Sequence, residues 1–224
     1  MSTLPLKPAI AVTMGDPAGI GPEICLDLLA HAATAAHCRP VVFGDLCALE
    51  RAAEATGKPA PKRVMSWEAW QADPDAMDGP GVIDFQAIKS EDLEPGKVHA
   101  GTGRAGYRYI ESAIEAALAG KVAAVATGPI HKEALQAAGV KYPGHTEIFA
   151  ALTSAKRACM MLTSPELTCS FATTHIGYRD VPGKLSIERI LDVIELTAEA
   201  MLKIREKKPT IVVNGLNPHA GEGG

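Results

Sequence analysis

Short apolar runs that end in Gly- or Pro-punctuated turns alternate with helical segments along most of the chain. That alternation constrains the fold more than any other feature. A short apolar run fits a strand buried on both faces, and strands alternating with helices argue for a largely parallel sheet with helices on its faces. AIAVTM (9–14) opens the series and leads through GDPAGIGPE into a helical EICLDLLAHA. PVVFGD (40–45) repeats the pattern before CALERAAEATG, which Gly57 closes, and VAAVATGPI (122–130) is a strand running into a Gly-Pro turn. CMMLTS, TCSFATTH and TIVVNGL read as three further strands. YRYIESAIEAALAG (107–120) predicts a helix with Ile110, Ile114 and Leu118 along one face. SIERILDVIELTAEAMLKIRE (186–206) predicts the longest helix. Ser186 is its N-cap, and Ile187, Ile190, Leu191, Ile194, Ala198 and Met201 fall at helical spacing. Residues 58–98, rich in Pro and charge, read as connections with one short strand at GVIDF. The expected division is a first α/β lobe over 1–130 and a second over 131–224.

Composition narrows the function classes. Aromatic residues make up only 4% of the 224, so the core must be built from Ala, Val, Ile and Leu. A net charge of −4 leaves no basic footprint for nucleic acid. No apolar run reaches membrane-spanning length, and MSTLPLKPAI lacks the charged-then-apolar pattern of a signal peptide. Cys25, Cys38, Cys47, Cys159 and Cys169 are scattered without a C-x-x-C, as expected of reduced thiols in a cytoplasmic protein.

In open α/β sheets ligands bind beyond the carboxyl ends of the strands, and those ends carry the unusual residues here. Asp16 follows the first strand, Thr127, His131 and Lys132 follow VAAVATG, Thr174 and His175 close TCSFATTH, and Asn217 and His219 follow the last strand. A parallel sheet would bring His175 and His219 to one rim, where two imidazoles suit a divalent metal; hydrogen-bonded loop caps are the alternative. PGHTE (143–147) sits at a helix start, where exposed N–H groups and the dipole favour a carboxylate or phosphate, with His145 and Thr146 as added donors. Capping by Thr146 is the competing reading. Lys132 follows TGPIH and is a candidate to hold an acidic substrate or move a proton, against the plainer reading of a solvated surface lysine. His31, His37 and His99 receive no role. GTGRAG (101–106) matches G-x-G-x-x-G, but no buried strand precedes it and no acidic residue ends the next strand, so it is rejected as a dinucleotide loop. GDPAGIG lacks the G-K-[ST] ending of a phosphate loop.

VTMGDPAGIGPE, TGPIHKEAL, GHTEIFA, ATTHIGYRDVP and GLNPHAGEGG occur in this order from about residue 8 onward. Together they resemble the 4-hydroxythreonine-4-phosphate dehydrogenase family of vitamin B6 synthesis. The resemblance implies a two-lobed α/β/α fold like isopropylmalate and isocitrate dehydrogenases, with a cleft between the lobes and a homodimer sharing its active sites. It implies NAD- and divalent-metal-dependent (zinc, cobalt or magnesium) oxidation of 4-phosphohydroxy-L-threonine. The β-keto acid formed loses carbon dioxide to give 3-amino-2-oxopropyl phosphate. Carried over by motif, His145 and Thr146 contact substrate and His175 and His219 ligate metal; Lys132 is the guess for the proton acceptor. By the family pattern about a third of the chain, with a third metal histidine and the phosphate-gripping residues, lies beyond Gly224, so the fold is expected to be incomplete there. An inactive anion- or metal-binding fragment is therefore a further reading. GYRDVP after His175 departs from the family's usual Pro-Leu, and Tyr178 leaves open a related dehydrogenase of a four-carbon sugar-acid phosphate or of an aromatic dihydrodiol.

Overall fold

The computed structural model describes residues 6–222, so the closing Gly223–Gly224 of GLNPHAGEGG and the first five residues of MSTLPLKPAI lie outside the described residues. It divides into two compact units, Met1–Ser154 and Ala155–Gly224.

The first unit is built on a parallel sheet of β1 (Ala9–Thr13), β2 (Arg39–Gly44), β3 (Val64–Ser66), β4 (Gly81–Asp84) and β5 (Ala124–Thr127). The strand order is β3-β4-β2-β1-β5, with every pair parallel. Helices α1 (Gly21–Ala30), α2 (Ala32–His37), α3 (Leu46–Thr56), α4 (Trp67–Ala72), α5 (Ala100–Leu118), α6 (Lys132–Ala137) and α7 (His145–Leu152) connect and flank it. β2 is buried along its whole length, so both faces of the sheet are covered. α5 crosses β1, β2 and β5, while α1 and α3 pack on one another. α6 and α7 also pack on α5.

The expected helix at 107–120 begins seven residues earlier and takes in GTGRAG. His99 caps it, its Nδ1 accepting the Gly101 N–H at 3.0 Å. The glycines of that motif serve packing: a Cβ on Gly103 would lie 2.1 Å from the Ala134 carbonyl oxygen of α6. Residues 58–98 also hold more order than their composition suggests. β3 joins the sheet edge, and α4 places Trp67 and Trp70 in the core against Phe43 and Phe85, with centroid separations of 5.3–5.8 Å. With Tyr109, fully buried against Phe85, five aromatics gathered at one spot supplement the aliphatic core.

The second unit contains β6 (Met160–Thr163), β7 (Thr168–Phe171), α8 (Val181–Lys184) and α9 (Ile187–Arg205). Here two expectations fail. β6 and β7 form an antiparallel hairpin, so among the described residues no parallel sheet brings His175 and His219 to a shared rim. TIVVNGL forms no strand: Val212 is 79% exposed, and among the described residues no other strand pairs with it. A β-branched run becomes a strand only when a neighbouring backbone takes its hydrogen bonds.

α9 starts where Ser186 places it, the serine Oγ accepting the Arg189 N–H at 3.0 Å. Its buried face is Val193, Thr197 and Met201, whereas Ile187 (87%) and Leu191 are exposed. The helix carries more apolar residues than one narrow hairpin can cover. Ser186→Ala is expected to destabilise the second unit by about 1 kcal/mol in denaturant unfolding followed by circular dichroism, and Ser186→Asp to retain wild-type stability.

Candidate functional site

β1 and β5 are neighbours although the chain visits β2, β3 and β4 between them. Their carboxyl ends lead to α1 and to α6, the latter packed on α5. This is the reversal in strand order at which open α/β sheets bind ligands. Two motif loops lock together there. The Asp16 N–H donates to the Pro129 carbonyl at 2.9 Å and the Gly128 N–H to the Thr13 carbonyl at 2.7 Å. Asp16 is buried, and its Oδ1 accepts the Ala18 N–H at 2.9 Å, which folds GDPAG into a tight turn. Gly15 has a left-handed φ of +81°, and a Cβ there would lie 2.2 Å from the Pro129 oxygen. Only glycine permits this approach.

The third motif joins the same place through α7. Ile148, fully buried against Ile110 and Ile114, and the stacked Tyr142–Tyr107 pair seat α7 on α5. His145 stands in the first turn, half-buried, beside the Gly128 carbonyl. Burial lowers its pKa from the ordinary 6.5, with the Gly128 carbonyl opposing, so the imidazole is neutral at pH 7. Its Nε2 is buried without a well-formed hydrogen-bond partner. The N-cap, Gly144, has no side chain to satisfy the first-turn amides, and Thr146 is exposed and does not cap them. Open amides, the helix dipole and a neutral imidazole form an environment for one oxyanion. Glu147 shares that turn and would lie against the same anion.

Lys132 is exposed at the first position of α6, whose N-cap is His131 through Nδ1 to the Ala134 N–H at 3.4 Å. Among the described residues it has no carboxylate partner. A lysine at a helix N-terminus works against the dipole, so the helix itself gives no reason for it.

His175 and His219 both belong to the second unit. His175 lies four residues past β7 with φ +57°, and is exposed. His219, in a short turn at Pro218–Gly221, has Nδ1 3.6 Å from Glu222 Oε1. Among the described residues no three metal-ligating side chains come together. The imidazoles have suitable donor chemistry, but these residues do not make a complete metal centre, and no reaction step is routed through one.

A group absent from the sequence reading also lies at the carboxyl rim. Asp45 directly follows β2, and Asp84 ends β4. Asp84 Oδ1 takes the α3 capping position, accepting the Leu46 N–H at 2.9 Å, while Asp45 Oδ2 accepts the Ile88 N–H at 2.6 Å. Asp45 is fully buried, and burial pushes its carboxyl up, the nearby Asp84 adding to it. Its Oδ1 and the Tyr109 hydroxyl lie close without aligning into a hydrogen bond. A VVFGD segment looks like a strand ending in a capping aspartate, so nothing local marks Asp45 as buried.

Among the described residues no helix is long and apolar enough to cross a membrane. The sequence profile of the family "Pyridoxal phosphate biosynthetic protein PdxA" matches residues 36–224. The 4-hydroxythreonine-4-phosphate dehydrogenase of Trichlorobacter lovleyi is 40% identical over 220 residues, covering 97% of this chain and 65% of that protein. The D-threonate 4-phosphate dehydrogenase of Cupriavidus necator is 41% identical over 219 residues, covering 97% and 64%. Among solved structures, a 4-hydroxythreonine-4-phosphate dehydrogenase from Burkholderia phymatum superposes with a TM-score of 0.80 at 40% identity, covering 98% of this chain and 66% of that one. The chain thus spans about 65% of the length of the curated relatives it matches. With its parallel α/β sheet, its interlocked Gly-Pro loops and a profile match over most of its length, the chain belongs to the PdxA family.

Proposed function

We propose that the protein is an NAD- and divalent-metal-dependent dehydrogenase that oxidises 4-phosphohydroxy-L-threonine. The β-keto acid formed decarboxylates to 3-amino-2-oxopropyl phosphate, within pyridoxal phosphate synthesis. The family match over residues 36–224 carries the reading. The oxyanion environment at the start of α7 supports it: a substrate bearing carboxylate and phosphate offers the charge that His145, Thr146 and the open amides would receive. A neutral His145 binds by hydrogen bonding and not as a cation, and Lys132 is the proposed acceptor of the hydroxyl proton, a step open to it only as the free amine. His175 and His219 are the proposed metal ligands, with zinc, cobalt or magnesium as the ion. When bound, the metal would acidify the substrate hydroxyl and stabilise negative charge on its oxygen. The same reading makes the protein a cytoplasmic homodimer with shared active sites.

The second reading is a dehydrogenase of D-threonate 4-phosphate. It is favoured by one observation: relatives bearing that name match at 41% identity, level with the 40% of the others. The test is NADH formation at 340 nm by the protein as its native gene encodes it, on each substrate, before and after chelation. Turnover of 4-phosphohydroxythreonine, abolished by chelator and restored by a divalent ion, is expected. A higher specificity constant on D-threonate 4-phosphate selects the second reading, and failure on both substrates overturns both.

A further inference from the structure

We infer that Arg189, in the first turn of α9, is the positioning residue for His175. β7 ends at Phe171, and the chain then reaches His175 through irregular backbone with a left-handed φ at the histidine itself. The guanidinium holds that departure point. Its Nε donates to the Ala172 carbonyl at 2.9 Å, Nη1 to the Ala158 carbonyl at 2.8 Å, and Nη2 to the Phe171 carbonyl at 3.5 Å. Because Met160 faces Phe171 in the antiparallel register, all three carbonyls lie at one end of the hairpin. Arg189 is itself anchored, its N–H held by the Ser186 cap. Among the described residues, no other hydrogen bond outside the β6–β7 ladder reaches residues 172–176.

Two considerations separate this clamp from generic surface bonding. A cation in the first turn opposes the helix dipole, so Arg189 does not serve α9 in isolation. It also has no carboxylate partner among the described residues, whereas Arg157, which reaches Asp192 at 3.3 Å and also Glu195, has two. The planar fork is spent entirely on backbone carbonyls, a geometry that lysine cannot copy.

The far end of the same helix supplies the control. Arg205 Nη2 donates to the Ser164 and Pro165 carbonyls at 2.8 and 2.9 Å, pinning the turn between β6 and β7. Arg189 and Arg205 therefore do the same chemistry at opposite ends of one hairpin, and only Arg189 stands beside the segment that delivers His175.

The inference rests on the reading of His175 as a metal ligand, so two readouts are needed. Imidazole NMR signals, assigned to His175 by their loss in His175→Gln, report its placement without metal. Cobalt(II) titration reports ligation. Arg189→Gln is expected to shift or broaden the His175 signals and to weaken cobalt(II) binding about 10-fold, the scale of losing an outer-shell support. Arg205→Gln should leave both unchanged. Unaltered His175 signals in Arg189→Gln, or equal changes in Arg205→Gln, overturn the inference. Wild-type cobalt(II) binding that His175→Gln does not weaken overturns the metal reading alone, since the NMR comparison still decides the positioning. If Arg189→Gln loses the fold by circular dichroism, Arg189→Lys, which keeps the charge but cannot reach three carbonyls, carries the same comparison.

Discussion

Gly15→Val is expected to lower the stability of the first unit by about 2–6 kcal/mol, combining about 1–3 for left-handed strain with about 1–3 for forcing side-chain atoms into packed backbone. The substituent has no direction in which to yield, since the Pro129 oxygen that it meets belongs to backbone tied to Asp16. Gly57→Val is the matched control. Gly57 also has a left-handed φ, of +68°, but nothing lies within 4 Å of its added Cβ, so only the strain component applies. Both tryptophans, Trp67 and Trp70, lie in the first unit, so urea unfolding followed by their fluorescence reads that unit alone. Equal losses in the two variants would show that the β1 and β5 loops do not need close backbone contact, and would remove the structural reason for a glycine at position 15.

At Asp45 the prediction concerns pH. Its folded-state pKa lies above the unfolded value of about 3.9 because burial disfavours the carboxylate. The folded state therefore holds the proton more tightly, and stability falls as pH rises from the unfolded pKa through the folded one, then levels off. Asp45→Asn removes that titration while retaining a carbonyl acceptor for the Ile88 N–H. The variant should match wild type in acid and be the more stable protein at pH 7. Asp45→Ala leaves the Ile88 amide unpaired and should lose about 1–3 kcal/mol at pH 7. Chemical denaturation at pH 4 and 7 separates these cases. An asparagine variant less stable than wild type at pH 7 would mean that the ionised carboxylate stabilises this rim.

Why would a protein bury an aspartate at a cost? Asp45 ties β2 to the 85–88 segment, and Asp84 takes over the helix cap that Asp45 leaves vacant. The exchange aligns the carboxyl ends of two adjacent strands.

Legibility in the sequence followed the range of the interaction involved. The strands at 9–13, 39–44 and 124–127, the end of α3 at Gly57 and the Ser186 cap of α9 rest on neighbours within a few residues, and each appears where periodicity and capping chemistry place it. The family was equally legible, because five motifs in order are a property of the string itself. His145 was found as a helix-start residue, but its burial beside Gly128 was not, since that depends on α7 packing over α5.

Other features depended on partners distant in the chain. Whether 160–171 would pair in parallel or antiparallel, and whether 210–214 would pair at all, turned on which backbone lay alongside. Trp67 and Trp70 sit in a stretch too polar overall to announce a core element, and joined the core because β3 docked on β4. The roles of Asp45 and Arg189 came from carbonyl and amide partners far along the chain or across a turn. Hydrophobic period, turn chemistry and caps are local energies written in consecutive residues. Register, burial of charge and the clamping of a loop are decided only when separate segments meet and must satisfy one another's backbone groups.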